Sequence, residues 1–186
     1  MSFSTQIKLL IALIAAVGLW QIVYGLDVWA SMYGVSKGLL ERGELYRIAI
    51  GPFGHISFVH FWFNVLLLHY IAKHYQTGQT LLIVQFYCVL ILSIVIGAVS
   101  YSLFGGEKFS VGISGGIFGL IGFSILRFDG EFKENLKNCL ILTLGLGCLL
   151  PDYVDNITHI TGLITGYLTG KILNRQRVVK GLSSDK

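Results

Sequence analysis

Six apolar stretches, parted by polar segments, run along this chain at about 7–26, 56–74, 81–104, 113–128, 136–150 and 157–174. A helix that crosses a bilayer needs about 20 mostly apolar residues, with a range of roughly 17–25. The pattern predicts an all-α membrane protein, a bundle of six transmembrane helices. The fourth and fifth stretches are short. A short helix can start below the membrane surface where its end lines a wet cavity or packs on protein. The longest segment between spans runs from about Asp27 to Gly54, and its length predicts an ordered or interfacial excursion. Trp29, Tyr33 and Tyr46 within it suit a membrane interface. No internal repeat, low-complexity tract or second domain is visible. The chain reads as one membrane domain over 1–186, with a core of about 7–174 and a frayed basic tail over 175–186.

Composition agrees. The chain is 54% hydrophobic and 13% charged, with a mean hydropathy of +0.70, whereas soluble domains carry about 25% charged residues. The first apolar run follows Lys8 but is long and lacks a small-x-small cleavage site, so it reads as a retained helix rather than a signal peptide. Cys88, Cys139 and Cys148 show no metal-ligand spacing and read as small packing residues. The net charge of +4 comes with no basic patch of interleaved aromatics, so nothing points to nucleic acid.

Topology explains the charge better. Six spans put both termini on one side. With both in the cytoplasm, ten Lys and Arg are cytoplasmic: Lys8, Lys73, Arg127, Lys133, Lys137, Lys171, Arg175, Arg177, Lys180 and Lys186. Four are outside: Lys37, Arg42, Arg47 and Lys108. Positive charge favours the cytoplasmic side, so both ends are expected there.

In that topology the second, fourth and sixth helices all start at the outer face. Their starts carry the unusual polar residues: His55, His60 and Asn64, then Ser114, then His159. His159, Gly162, Gly166 and Gly170 form one narrow helical stripe. Ser114, Gly115, Phe118, Gly119 and Gly122 share one side of the fourth helix. Glycine faces let two helix backbones approach closely, which would bring Ser114 to His159. A serine gives its proton to an imidazole only within hydrogen-bond reach. His60 and Asn64, spaced i, i+4, share a face and can donate to a developing oxyanion. A helix N-terminus adds unpaired N–H groups and a positive dipole end at Ser114.

Each feature has a plainer reading. A lone Ser at a membrane helix contact is usually packing, and a lone intramembrane His is more often structural than catalytic, although such residues are functional candidates by default. His69 and His74 read as interface or cytoplasmic-end residues. Asp152 and Asp155 are candidates for a third catalytic member. Asp155, one turn before His159, reads as a loop residue, which leaves a Ser–His dyad.

Four motifs taken together closely resemble the rhomboid intramembrane serine proteases. Glu44-Leu45-Tyr46-Arg47 is similar to that family's Glu-x-Trp-Arg segment. The run from His55 through His60 to Asn64 resembles His-x4-His-x3-Asn. Gly112-Ile113-Ser114-Gly115 resembles the Gly-x-Ser-Gly nucleophile motif, and His159-x2-Gly162-x3-Gly166 the last-helix motif. The resemblance covers about residues 43–170. It implies a six-helix bundle with a water-filled cavity open to the outer face, acting on transmembrane protein substrates without a metal or organic cofactor. Ser114 would be the nucleophile and His159 the base. His60, Asn64 and the Ser114 N–H would line the oxyanion hole, with Gly112 in support. Phe118 would pack on the histidine, Glu44 and Arg47 would brace the outer loop, and His55 would support the second helix start. Gly115, Gly162 and Gly166 would give the close helix contact. A bacterial inner membrane, with the site facing the periplasm, fits the resemblance.

Three departures stand out. Tyr46 replaces Trp, Thr158 stands where Ala is common, and Gly116 adds a glycine that would loosen the helix.

A non-proteolytic member binding membrane helices would typically lack the Ser or the His. A carrier or channel would continue its polar lining across the membrane, and no paired broken segments are present. A rhomboid that trims C-terminal membrane anchors stays within the enzyme class.

Overall fold

The computed structural model describes residues 1–76, 79–106, 108–149 and 154–184, with side chains up to residue 173. Helix α1, Phe3–Tyr24, begins where the Ser2 side chain accepts from the Thr5 N–H, and ends at Gly25, whose φ of 92° suits glycine. The outer segment folds into α2, Leu26–Tyr33, and the short α3, Tyr46–Ile50, followed by a 3-10 turn over Gly51–Phe53. Ser57 caps α4, Phe58–His74, by accepting from the His60 N–H at 3.1 Å. Then come α5, Thr80–Phe104, α6, Ser114–Arg127, α7, Glu131–Leu149, and α8, Asn156–Ser184. The architecture is an all-α membrane bundle in which α1, α4, α5, α6, α7 and α8 occupy the six apolar stretches.

By length and composition α1 and α5 each suffice to cross a bilayer. Tyr46–Phe53 and α4, bent by 92° at Gly54–Ser57, can together make a third span. Helix α6 has 14 residues, about 21 Å at 1.5 Å per residue. That is less than the roughly 30 Å of a hydrocarbon core.

α6 is the axis of the bundle. Every residue from Ser114 to Ser124 is buried, not one face only. It packs most extensively on α8, then on α5. At the α6–α8 crossing a Cβ on Gly162 would overlap the Gly115 carbonyl, and one on Gly166 the Gly119 carbonyl. Gly116 turns out to be a packing residue rather than a loosening one. Its missing side chain makes room for Leu90 and Ile94 of α5, which a Cβ would meet at 2.7 and 2.8 Å.

Thr158 keys three helices together. Its methyl group fits the notch left by Gly97 on α5 and Gly115 on α6, at 2.8 and 2.5 Å from where a Cβ would stand. The core continues into Ile7 and Ile14 of α1, Leu68 and Ile71 of α4, and Leu136 of α7. On the side of α6 away from Ser114, Tyr75 and Ser124 share a buried 2.8 Å hydrogen bond, and His74 stacks on Phe132 at 3.6 Å. His69 is exposed.

Some expectations need correcting. Trp29 is not an interface residue. It is 1% exposed, and its ring fills the space beside Gly54, where a Cβ would overlap it. Tyr46 is exposed. Of the cysteines, Cys139 packs against the core, while Cys88 and Cys148 are exposed along their helices. The backbone of α8 continues to Ser184, well past the expected boundary at 174. Its last residues, Arg175 to Ser184, contain no proline, and one glycine does not stop a helix.

Gln21 of α1 is a polar residue inside an apolar span, and 1% exposed. Its Oε1 accepts from the His55 N–H at 2.9 Å and its Nε2 donates to the His55 carbonyl at 3.3 Å. Both backbone groups of the chain entering α4 are thereby satisfied by one side chain. Gln21→Leu leaves them unpaired and is expected to cost about 1–3 kcal/mol, read as a lower unfolding midpoint in detergent.

Candidate active site

The site forms where the N-terminal ends of α4, α6 and α8 meet. Ser114 is the first residue of α6 and His159 lies in the first turn of α8. Their side chains meet at 2.8 Å, Ser114 Oγ to His159 Nε2, and both residues are buried. The glycine contact between α6 and α8 is what allows this, because any larger residue would hold the two axes further apart. The Phe118 ring lies parallel to the His159 ring, with centroids 4.1 Å apart and planes within 1°. Imidazole Nε2 thus faces the hydroxyl, while the ring rests on an apolar face. Nδ1 of His159 is buried and has no hydrogen-bond partner among the described residues.

Gly112 controls the approach to Ser114. Its φ is 116°, a conformation glycine adopts freely and other residues rarely do. A Cβ there would stand 2.7 Å from His60 Cε1, 3.2 Å from His60 Nε2 and 3.5 Å from Asn64 Nδ2. Two polar side chains of α4 therefore flank the backbone two residues ahead of the serine. Asn64 Nδ2 is buried and, among the described residues, donates to nothing. Gly112→Ala adds strain at positive φ and pushes His60 aside. We expect it to lower activity at least about tenfold, measured as the rate of serine labelling by a fluorophosphonate.

His55 supports this corner. Its ring lies 5.1 Å from His60 and 5.4 Å from Phe61, edge-on to both. Its backbone is the part held by Gln21.

Farther out, Glu44 Oε2 accepts from Arg47 Nε at 3.0 Å and from Arg42 Nε at 3.1 Å. Arg47 also donates to the carbonyls of Ser31 and Gly34, at 2.8 and 3.0 Å. Burial works to raise the Glu44 carboxyl, but the hydrogen bonds and charges of Arg42 and Arg47 hold it below its ordinary value. Arg47 lies over the Phe109 ring, 5.8 Å from its centroid, and so joins the outer segment to the loop before Ser114. Val35 and Ser110 pair across the same gap in an isolated antiparallel bridge.

The structure thus brings Ser114, His159 and Phe118 together and sets His60 and Asn64 against Gly112. Glu44 and Arg47 form a separate brace outside. Asp155 does not reach the His159 ring. It caps α8 and accepts from the hydroxyls of Thr158 and Ser110. Asp152 lies outside the described residues. Among the described residues no cluster of His, Cys, Asp and Glu is arranged to hold a metal ion. The sequence reading missed Gln21 and Ser110. For Gln21 the signal was available, as a polar residue in an apolar span calls for a partner.

Comparison with known proteins adds the family. The Rhomboid domain model matches residues 42–176. The chain belongs to the rhomboid family. Among curated rhomboid relatives, RHOMBOID-like protein 2 of Arabidopsis thaliana is 33% identical over 163 residues, 76% of this chain and 50% of that protein. RHOMBOID-like protein 6, mitochondrial, of the same plant is 26% identical over 149 residues, 75% of this chain and 47% of that protein. Rhomboid-like protease 1 of Toxoplasma gondii is 26% identical over 149 residues, 74% of this chain and 50% of that protein. The chain spans about half the length of these rhomboid relatives. Its matched region contains all four motifs, with Ser114, His159, Phe118, His60, Asn64, Gly112, Glu44 and Arg47, while Gln21, Ser31, Gly34 and Val35 precede it.

Proposed function

We propose that this rhomboid is an intramembrane serine endopeptidase working through a Ser114–His159 dyad, cleaving transmembrane segments of membrane proteins near the outer face. The observation that carries the reading is the 2.8 Å contact between Ser114 Oγ and His159 Nε2, made at the N-terminus of a buried helix. In this reading His159 Nε2 takes the hydroxyl proton as Oγ attacks the scissile carbonyl carbon. The carbonyl oxygen becomes an oxyanion. In the same reading the Ser114 N–H, His60 and Asn64 donate to it, each such donor contributing about 2.7–4 kcal/mol in comparable sites. The imidazolium then protonates the leaving amine, and water, activated by the same histidine, releases the acyl group.

A substrate helix must unwind before attack, because its carbonyls are already hydrogen-bonded. Helix-weakening residues near the outer face are therefore favoured in substrates. The domain proposed spans 1–186. Its termini are placed in the cytoplasm on the ten-to-four charge bias, and its site opens to the opposite side.

The test is fluorophosphonate labelling of the detergent-purified protein, followed by cleavage of a transmembrane substrate in proteoliposomes. Labelling and cleavage by wild type, both lost in Ser114→Ala, are expected. Cleavage that persists in purified Ser114→Ala would sink the assignment. A non-proteolytic helix-binding member would show no labelling in the folded wild type.

A further inference from the structure

Ser114 and His159 sit on different helices, 45 residues apart, and their contact depends on how the two helix starts are registered. Each of the two residues is preceded, four residues upstream, by one end of the same hydrogen bond: Ser110 Oγ donates to Asp155 Oδ2. Asp155 is also the cap of α8. Its Oδ1 accepts from the Thr158 N–H at 3.0 Å, its Oδ2 accepts from the Thr158 hydroxyl, and its carbonyl accepts from the His159 N–H at 3.2 Å. Ser110 is fixed from the other side by two backbone bonds to Val35, both 2.8 Å. Gly112 N–H donates to the Gly51 carbonyl at 3.1 Å. The loop before the serine thus has anchors to the outer segment at Val35 and Gly51, and an anchor to the base-bearing helix at Asp155.

We infer that the Ser110–Asp155 bond is a positioning device for the dyad: it ties the loop that enters the nucleophile helix to the cap of the helix that carries the base. The inference rests on the proposed function. Asp155 acts through geometry and not as a third catalytic member, since its carboxylate is occupied by Ser110 and Thr158 and does not meet the His159 ring.

Capping alone does not account for the arrangement. A cap is complete with the Thr158 N–H, and Asp at a helix N-terminus is favoured by the dipole without help. The Ser110 hydroxyl adds nothing to the helix end; it adds a link across 45 residues. A dyad is sensitive to such a link, because misplacement by about 1 Å can cost on the order of 10²-fold in rate.

Ser110→Ala removes the link and leaves the cap intact. Ser110→Thr keeps the hydroxyl. Asp155→Ala removes link and cap together. The full-length protein in detergent is labelled with a fluorophosphonate, and cleavage kinetics are measured in proteoliposomes. Ser110→Ala is expected to slow labelling and lower kcat about tenfold, with KM and the unfolding midpoint close to wild type. Ser110→Thr should restore the rate, and Ser110→Ala should have no further effect in an Asp155→Ala background.

Wild-type labelling and kcat in Ser110→Ala would overturn the inference alone. So would a loss that follows the unfolding midpoint or that Ser110→Thr fails to restore. If Asp155→Ala does not fold, Ser110→Ala and Ser110→Thr still decide the matter. Absence of labelling in folded wild type would overturn the proposed function itself, and this inference with it.

Discussion

Ser114→Ala, His159→Ala and the double variant are expected to lose cleavage to the same extent, roughly 10³-fold or more. Nucleophile and base act as one unit, so removing either already removes the activated oxygen, and removing the second costs little further. Additive losses would mean that the two side chains contribute separately, and the 2.8 Å contact would then be structural only. Stability should separate the variants where activity does not. Ser114→Ala removes one hydroxyl. His159→Ala also removes the ring stacked on Phe118 at 4.1 Å, and is expected to destabilise by about 1 kcal/mol through that pair. Unfolding midpoints measured beside the rates therefore show whether lost cleavage comes from lost chemistry or from lost fold.

Much of this site was legible because membrane embedding makes polar residues conspicuous. In a chain 54% hydrophobic, Ser114, His159, His60 and Asn64 stand out, and helical phase says which of them share a face. The glycine stripes were equally readable, since glycines repeating along one helical face have few purposes other than close approach. What could not be read was which contacts cross from one segment to another through loops. Nothing in the order of residues ties Gln21 to the backbone of His55, or Ser110 to Asp155. Both pairings depend on loop paths that periodicity does not encode.

Trp29 failed for a related reason. An aromatic in an outer loop suits an interface and suits a buried wedge equally well, and only the position of Gly54 decides between them. Gly116 was misjudged because a glycine was weighed by its helix propensity alone. Against the side chains of α5 its value is the space it leaves.

The same logic gives Gly166→Ala a large effect from a small change. On an isolated helix the substitution would be favourable by about 1 kcal/mol. Here the new methyl group overlaps the Gly119 carbonyl, and backbone cannot rotate away as a side chain can. The helices must separate, and overpacking of this kind costs about 1–3 kcal/mol or more. The net loss of stability is expected to reach about 2 kcal/mol. Activity should fall further than stability predicts, by on the order of 10²-fold, because His159 rides on α8 and moves with it.

Gly145→Ala is the control. Gly145 lies exposed on α7 with nothing within 4 Å of its Cβ position, so the same substitution should raise stability by about 0.5–1 kcal/mol and leave the rate unchanged. Unfolding midpoints and fluorophosphonate labelling rates of the two variants, side by side, test whether the α6–α8 backbone contact sets the dyad. Loss of stability in Gly166→Ala with an unchanged labelling rate would show that the glycine stripe does no more than pack.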